Sequence, residues 1–210
     1  MVDEIVDNPR ELSPEDRLRE AIVTGRFQPS ERLIEVEVAR ELGVGRSAVR
    51  TALARLEHER QRGARVRLVG AQEAVEILET RAVLEGLAAR HAAVNATAED
   101  VRHLTAVLDE MRRRLDAGDL LGASDQNAVL HGRILEISRH TTAARLIATL
   151  KSQLVRFQYR TIMLPGRSEH SFGEHRAIIG AIAAGDSDAA EQAMRVHLSH
   201  VAEALRGERV

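Results

Sequence analysis

The chain has 210 residues, 44% of them hydrophobic, which is enough for one large or two small globular cores. It has no cysteine, which excludes disulfides and thiolate metal sites, and no run of about 18 apolar residues that could span a membrane. The net charge is −2 and the N-terminus is too acidic for a signal peptide, so we expect a cytoplasmic protein. Aromatic residues make up only 2%, so we expect a largely helical protein that does not stack single-stranded bases.

The first third of the chain predicts three short helices. Residues 1–12 are acidic and without pattern, and we interpret them as a flexible tail. Serine, proline and two acids from Ser13 onward are typical of a helix start, and they predict a helix from Pro14 to about Thr24. The segment 32–57 then predicts two amphipathic helices separated by a glycine turn, the first over 35–42 and the second starting at residue 45 or 46.

The second helix of this pair carries the features of a DNA-recognition helix. Its apolar positions face inward, whereas Arg46, Ser47 and Arg50 lie on an adjacent stripe that faces solvent. Surface arginine is common in proteins without DNA-binding activity, so spacing alone leaves both interpretations open. The local charge favours DNA binding, since residues 46–70 hold seven arginines against two glutamates in a chain that is slightly acidic overall.

A basic segment follows the recognition helix. Residues 60–69 alternate apolar side chains with arginines behind a glycine, which predicts a tight turn and a strand. A turn and strand at this place are typical of the wing of a winged helix, with Arg62 and Gly63 at its tip, near a minor groove or a phosphate. A simple basic linker is the alternative.

The segments LREAIVTGRFQPSERL, ELGVGRSAVRTALARLE and RGARVRLV resemble the winged-helix domain of GntR-type bacterial transcription regulators. The resemblance implies DNA contacts by Arg46, Ser47, Arg50, Arg62 and Gly63. The chain departs from the family in two respects: Gly45 replaces the usual serine or threonine, and several residues that form the first strand of the wing are missing after position 59. Either the wing is shortened or a loop is absent from this sequence. We favour the second, because a one-stranded wing lacks its hairpin partner.

The remainder of the chain predicts an antiparallel all-helical bundle. Apolar residues recur at helical spacing almost throughout, and a threonine and an aspartate form a capping box at Thr97 and Asp100. The predicted helices span 71–94, 97–116, 119–138, 142–163, 171–184 and 186–206. The predicted fold is therefore mainly α, with a tail over 1–12, a winged helix-turn-helix over 13–70 and a bundle over 71–210.

Three of the nine histidines occupy apolar stripes on three different predicted helices. These are His131, His175 and His197, and Asn127 lies one turn before His131 on the same face. Any one of them read alone is more simply a hydrogen-bonded core histidine. Together, three imidazoles and one amide oxygen suit Zn(II), Ni(II) or a similar first-row ion.

The segments ETRAVLEGLAARHAA, HGRILEI, GEHRAIIGAIAAGDSDAA and MRVHL resemble the ligand-sensing FCD bundle of the FadR-type GntR regulators. Many members bind a divalent metal through an aspartate and three histidines. The resemblance implies that His131, His175 and His197 are ligands and that Asn127 stands in the place of the aspartate, which removes a negative charge. It also implies that Arg81 holds an effector carboxylate, with a salt bridge to a neighbouring glutamate as the alternative. His200, one turn after His197, is a reserve ligand.

The sequence therefore predicts a homodimeric DNA-binding transcription regulator that is not an enzyme. Its expected partners are a double-stranded DNA operator and a small effector, an organic acid, at a metal-containing pocket. One alternative is a helical metal-dependent hydrolase, but the sequence has no His-Glu-x-x-His pair and no Glu-x-x-His motif of the di-iron bundles. The other alternative is a helical scaffold that does not bind DNA.

Overall fold

A computed structural model describes residues 13–23, 26–27, 31–55, 69–154, 157 and 161–207. All regular structure within these ranges is helical. The chain divides into two compact units, Met1–Leu68 and Val69–Val210. None of the helices within the described ranges combines the length and the apolarity needed to cross a membrane.

The first unit contains three short helices: α1 (Pro14–Val23), α2 (Glu35–Leu42) and α3 (Arg46–Arg55). The Ser13 hydroxyl caps α1 by accepting the backbone N–H of Asp16 at 3.1 Å. Gly43 ends α2 with φ of +65°, the left-handed conformation that glycine adopts without a Cβ penalty. The three helices share a small core that includes Leu18, Phe27, Leu33, Val38, Leu42 and Val49. The helix-turn-helix predicted from the sequence is confirmed.

The predicted turn and strand of the wing fall almost entirely outside the described residues. Residues 56–68, which include Arg62 and Gly63, lie outside the described residues.

The second unit is a bundle of long helices around a continuous apolar core. Its first helix packs against most of the others and lies at the centre. The predicted capping box is present, since Thr97 and Asp100 each bond the other's backbone N–H. The helices are α4 (Ala71–Asn95), α5 (Ala98–Asp116), α6 (Leu120–Ser138), α7 (Thr141–Gln153), a short 3-10 turn (Thr161–Met163), α8 (Arg167–Ala183) and α9 (Ser187–Gly207).

The predicted single helix over 142–163 is wrong. Helix α7 ends at Gln153, and the chain tightens there because Leu154 N–H bonds Lys151 O and Phe157 N–H bonds Leu154 O. Both Leu154 and Phe157 are buried in the core. Apolar residues three apart fit a continuing helix as well as a tight turn, so their spacing does not reveal the break.

Helix α8 begins one turn earlier than the predicted start at residue 171. Gly166, with φ of +75°, precedes the first helical residue, Arg167. This left-handed glycine lets the chain re-enter a helix directly after Pro165. The earlier start places Arg167 on the same helix as His175.

Candidate metal centre and DNA-binding surface

Three buried histidines from three helices meet inside the second unit. His131 lies on α6, His175 on α8 and His197 on α9, and each is at most 3% exposed. The Nε2 atoms of His131 and His175 are 3.4 Å apart, and one nitrogen from each ring lies within 4.8 Å of the others. All three side chains point into the bundle, as their apolar stripes predict. Their role as metal ligands stays a prediction.

Each histidine is positioned by an apolar residue three positions away on its own helix. Ile134, Ile178 and Met194 are all almost fully buried in the core of the unit. Residues three or four apart share a face of a helix, so burying these side chains carries the neighbouring imidazoles inward.

Two carboxylates, one buried and one partly buried, orient two of the histidine rings. Nδ1 of His131 lies 2.6 Å from Glu85 Oε2, and Nδ1 of His197 lies 2.7 Å from Glu174 Oε2. A carboxylate is a hydrogen-bond acceptor, so these contacts place the N–H of His131 and of His197 on Nδ1 and leave their Nε2 atoms as acceptors. This pairing of a histidine with a carboxylate is the usual arrangement behind a metal-ligating imidazole.

The sequence does not predict this role for either carboxylate. It predicts Glu85 only as a salt-bridge partner of Arg81, and it predicts no role for Glu174. A signal for Glu85 exists, since it is a charged residue within an otherwise apolar face of α4, and it is 1% exposed. Charged residues are almost never fully buried unless they are paired.

The donor set fits a bound cation. Asn127 Oδ1 is buried and has no hydrogen-bond partner among the described residues. An acceptor left in this state costs free energy unless a donor or a cation satisfies it. The Nε2 atoms of His131 and His175 are 3.4 Å apart. Two nitrogen ligands of a tetrahedral Zn²⁺, each bound at about 2.1 Å, are separated by about the same distance.

The histidines are neutral at physiological pH, as ligands must be. Burial lowers the pKa of His131 to about 4, although the neighbouring Glu85 acts in the opposite direction. Burial also lowers the pKa of His197, and it holds the pKa of His175 well below its usual value, where the other two imidazoles add to the effect. Each ring therefore keeps a lone pair available near pH 7.

The two carboxylates stay ionised. Burial alone raises the pKa of the Glu85 carboxyl, but the positive charge of Arg81 and the contact with His131 outweigh it and lower this pKa well below the usual value. Burial likewise acts against ionisation of Glu174, but hydrogen bonds from His197 and Arg167 lower its pKa to about 2. Both carboxylates can therefore accept hydrogen bonds at any physiological pH.

His200 does not join the three histidines. Its Nδ1 atom lies 2.7 Å from Glu174 Oε1, on the opposite side of the carboxylate from His197. The structure thus places the reserve ligand in a separate cluster with His170 and Glu174.

A cavity of about 170 Å³ adjoins the three-histidine cluster. Asn127 and all three histidines line it, together with apolar side chains that include Leu78, Met111 and Leu198. An apolar cavity with a few convergent polar groups is the usual form of a small-molecule site.

Three cationic side chains line the same cavity. Arg81 Nε donates to Glu85 Oε1 at 2.7 Å, so the salt bridge considered from the sequence is present and Arg81 still reaches the cavity. Arg167 Nη2 donates to Glu174 at 3.0 Å, whereas its Nη1 is buried without a hydrogen-bond partner among the described residues. Burial lowers the pKa of Lys151, and the negative charge of Glu85 partly offsets this decrease. The sequence does not predict a place in this cavity for Lys151 or Arg167.

The predicted DNA-contacting side chains of α3 are on the surface. Arg46, Ser47 and Arg50 are all exposed. Arg50 donates to both oxygens of Glu35 on α2, from Nε at 3.0 Å and from Nη2 at 2.9 Å, and this contact was not foreseen from the sequence. The side chain of Arg50 remains 67% exposed, which leaves it accessible to DNA.

Comparison with known families matches both units. Residues 14–66 match the gntR family of bacterial regulatory proteins, and residues 76–200 match the FCD domain. The chain belongs to the FCD group of GntR regulators.

Individual GntR relatives resemble it over most of its length. An uncharacterised HTH-type transcriptional regulator of Mycobacterium tuberculosis is 30% identical over 230 residues, covering 90% of this chain and 86% of the relative. One of Bacillus subtilis is 27% identical over 200 residues, covering 91% and 88%. The structure of Escherichia coli McbR/YncC has a TM-score of 0.76 and 22% identity, covering 93% of this chain and 96% of that one, which is a likeness of fold.

As a GntR regulator, the protein binds DNA and controls transcription. The relatives and both matched families are regulators, not enzymes, so they do not favour the hydrolase alternative. All four predicted metal ligands and the predicted effector residue Arg81 lie within the FCD match, and Arg46, Ser47 and Arg50 lie within the gntR match.

Proposed function

We propose that this regulator binds its operator under the control of a small organic acid held at a metal-containing pocket in the FCD bundle. The observation that carries the proposal is the buried cluster of His131, His175 and His197 beside a cavity lined with cationic side chains. Operator binding implies that the protein acts in the bacterial cytoplasm.

The DNA-binding part of the proposal assigns base or phosphate contacts to Arg46, Ser47 and Arg50, with Arg62 and Gly63 contributing from the wing. Guanidinium groups on one face of a recognition helix suit guanine edges and phosphates in the major groove. A homodimer would present two such helices about 34 Å apart, which is one turn of DNA, and would read a pseudo-palindromic site.

For the metal site, we assign as ligands of Zn(II) or Ni(II) the residues Asn127, His131, His175 and His197. It is supported by the Nε2 lone pairs that the carboxylates leave free and by the unpaired amide oxygen of Asn127. A bound ion would supply a Lewis acid to which the carboxylate of an effector can bind. Because Asn127 is neutral, we expect a lower affinity than an aspartate at this position gives.

The charge of the cavity supports an organic acid as the effector. Arg81 and Arg167 both reach the cavity, and the buried Nη1 of Arg167 is a donor without a partner among the described residues. Lys151 adds a third cationic side chain. A carboxylate accepts charge-assisted hydrogen bonds from guanidinium donors, and these are stronger than the bonds that a neutral acceptor makes. We therefore add Arg167 and Lys151 to Arg81 as effector-binding residues.

Metal analysis and DNA binding test the proposal together. We expect His175→Ala to lower the content of Zn or Ni in the purified protein, measured by elemental analysis against a His103→Ala control at an exposed position of α5. We expect a panel of small organic acids to change the affinity for an operator fragment in the wild type, and this response to be lost in Arg167→Ala. Full metal retention in His175→Ala would remove that residue from the metal site.

A further inference from the structure

A second cluster of metal-binding side chains lies next to the three histidines but nearer the surface. His170 and Glu174 are one turn apart on α8, and His200 lies on α9. One ligand atom from each lies within 4.8 Å of the other two. Glu174 Oε1 is 2.7 Å from Nδ1 of His200 and 3.8 Å from Nε2 of His170. We call these three residues the outer cluster.

The carboxylate of Glu174 divides its two oxygens between the inner and outer clusters. Oε2 accepts hydrogen bonds from Nδ1 of His197 and from Nη2 of Arg167. Oε1 faces His200 and His170. The outer cluster therefore has an oxygen ligand that the contacts with His197 and Arg167 do not occupy, and those contacts hold it in place.

The outer cluster has the composition and access of a metal site. Two imidazoles and one carboxylate are the protein ligands of many three-residue zinc sites, which complete their coordination with water. The His170 and His200 side chains are 69% and 39% exposed, so an ion and its water molecules can reach them, whereas the Glu174 side chain is only 10% exposed. A fixed carboxylate between two accessible imidazoles provides one preorganised ligand and two adjustable ones.

We propose that His170, Glu174 and His200 form a second, solvent-accessible binding site for Zn²⁺ or a similar first-row divalent ion, separate from the three-histidine centre. The two sites share Glu174, which binds the outer ion through Oε1 and orients His197 through Oε2. Removing the glutamate carboxylate therefore affects both sites, whereas removing either outer histidine affects only the outer one.

The number of ions bound per chain tests this proposal. The full-length protein is stripped with a chelator, dialysed against buffered Zn²⁺ and measured by elemental mass spectrometry. We expect His170→Ala and His200→Ala each to bind one zinc equivalent fewer than His103→Ala, which removes an exposed histidine of α5. We expect Glu174→Gln to lose the outer equivalent and to bind the remaining ion more weakly.

The variants separate this proposal from the metal centre proposed above. Loss of one equivalent in His170→Ala and His200→Ala with no loss in His175→Ala would support the outer site and contradict the inner one. Unchanged zinc content in both outer variants, relative to His103→Ala, would overturn the outer site and leave the inner one standing. The contact between Glu174 and His200 would then be a hydrogen bond that joins α8 to α9. Both outer histidines are accessible, so circular dichroism should show that these variants fold normally.

Discussion

Two arginine–glutamate pairs, one in each unit, have similar hydrogen-bond lengths and opposite surroundings. Arg50 donates to Glu35 at 2.9 and 3.0 Å, and the side chains are 67% and 31% exposed. Arg81 donates to Glu85 at 2.7 Å, and those side chains are 12% and 2% exposed. Water screens the first pair, so opening it costs little, whereas the second cannot lose a partner without leaving a buried charge uncompensated. The same two residue types therefore give a releasable contact at the proposed DNA-binding surface and a fixed one behind the histidine cluster.

The largest effect should come from breaking the buried pair. Glu85→Gln keeps the shape of the side chain but removes the charge that Arg81 and His131 face. Because a buried pair that loses one partner leaves the other charge unpaired, we expect the free energy of unfolding to fall by about 3 kcal/mol. Urea denaturation followed by circular dichroism measures this change.

The matched control is Glu35→Gln in the exposed pair. It makes the same chemical change, and we expect the urea midpoint to stay close to that of the wild type, because water already screens this contact. Equal destabilisation by the two variants would refute the distinction between a fixed and a releasable pair.

Acid should lower the free energy of unfolding of the metal-free protein, because it protonates the buried histidines. The folded-state pKa of His131 is lowered to about 4, while the unfolded value is about 6.5. The folded state therefore binds the proton less tightly than the unfolded state does. The neutral ring makes its full contribution to the free energy of unfolding above about pH 6.5, and this contribution is lost as the pH falls towards 4. For this ring the loss is about 3 kcal/mol over the whole interval. The lowered pKa values of His175 and His197 act in the same direction.

Urea unfolding of chelator-treated protein between pH 7.5 and pH 4.5 checks this dependence. His131→Gln should flatten the curve, and His103→Gln should leave it unchanged. A stability that is constant over this range in the wild type would show that the histidines are not buried in their neutral form.

The parts of the fold that depend on local chemistry could be predicted from the sequence. Ser13 before Pro14, Gly43 at a helix end and the pair Thr97 and Asp100 act through groups only a few residues away, and each occupies its predicted place. The inward direction of the three histidines could also be predicted, because apolar neighbours at helical spacing fix the buried face of each helix.

The parts that depend on contacts between helices could not be predicted. Glu85 meets His131 across 46 positions of sequence, and Glu174 meets His197 across 23. No periodicity within one helix shows which residue of another it will face. The position of Arg167 was missed for a local reason, since the left-handed Gly166 starts α8 one turn before the expected residue.

Removing Arg50 tests the role of the exposed pair in DNA binding. If Arg50 leaves Glu35 to read a base, Arg50→Ala should weaken binding to an operator selected from genomic fragments by about 10-fold to 100-fold, with less effect on unrelated DNA. Mobility-shift assays at fixed salt measure both affinities. Arg145→Ala, which removes an exposed arginine from α7, serves as the charge-matched control. Equal weakening on all sequences would assign Arg50 to a phosphate.

A smaller change in DNA affinity should come from Glu35→Gln, which removes the partner of Arg50. Glu35 occupies Nε and Nη2 of Arg50, so its negative charge lies beside the guanidinium that we propose contacts DNA. Removing that charge should raise the affinity for DNA of any sequence by a few-fold, because less repulsion opposes binding. The freed guanidinium is no longer held in one orientation, so the ratio of operator to unrelated DNA affinity should fall. An increase in that ratio would mean that Glu35 only competes with DNA and does not orient Arg50.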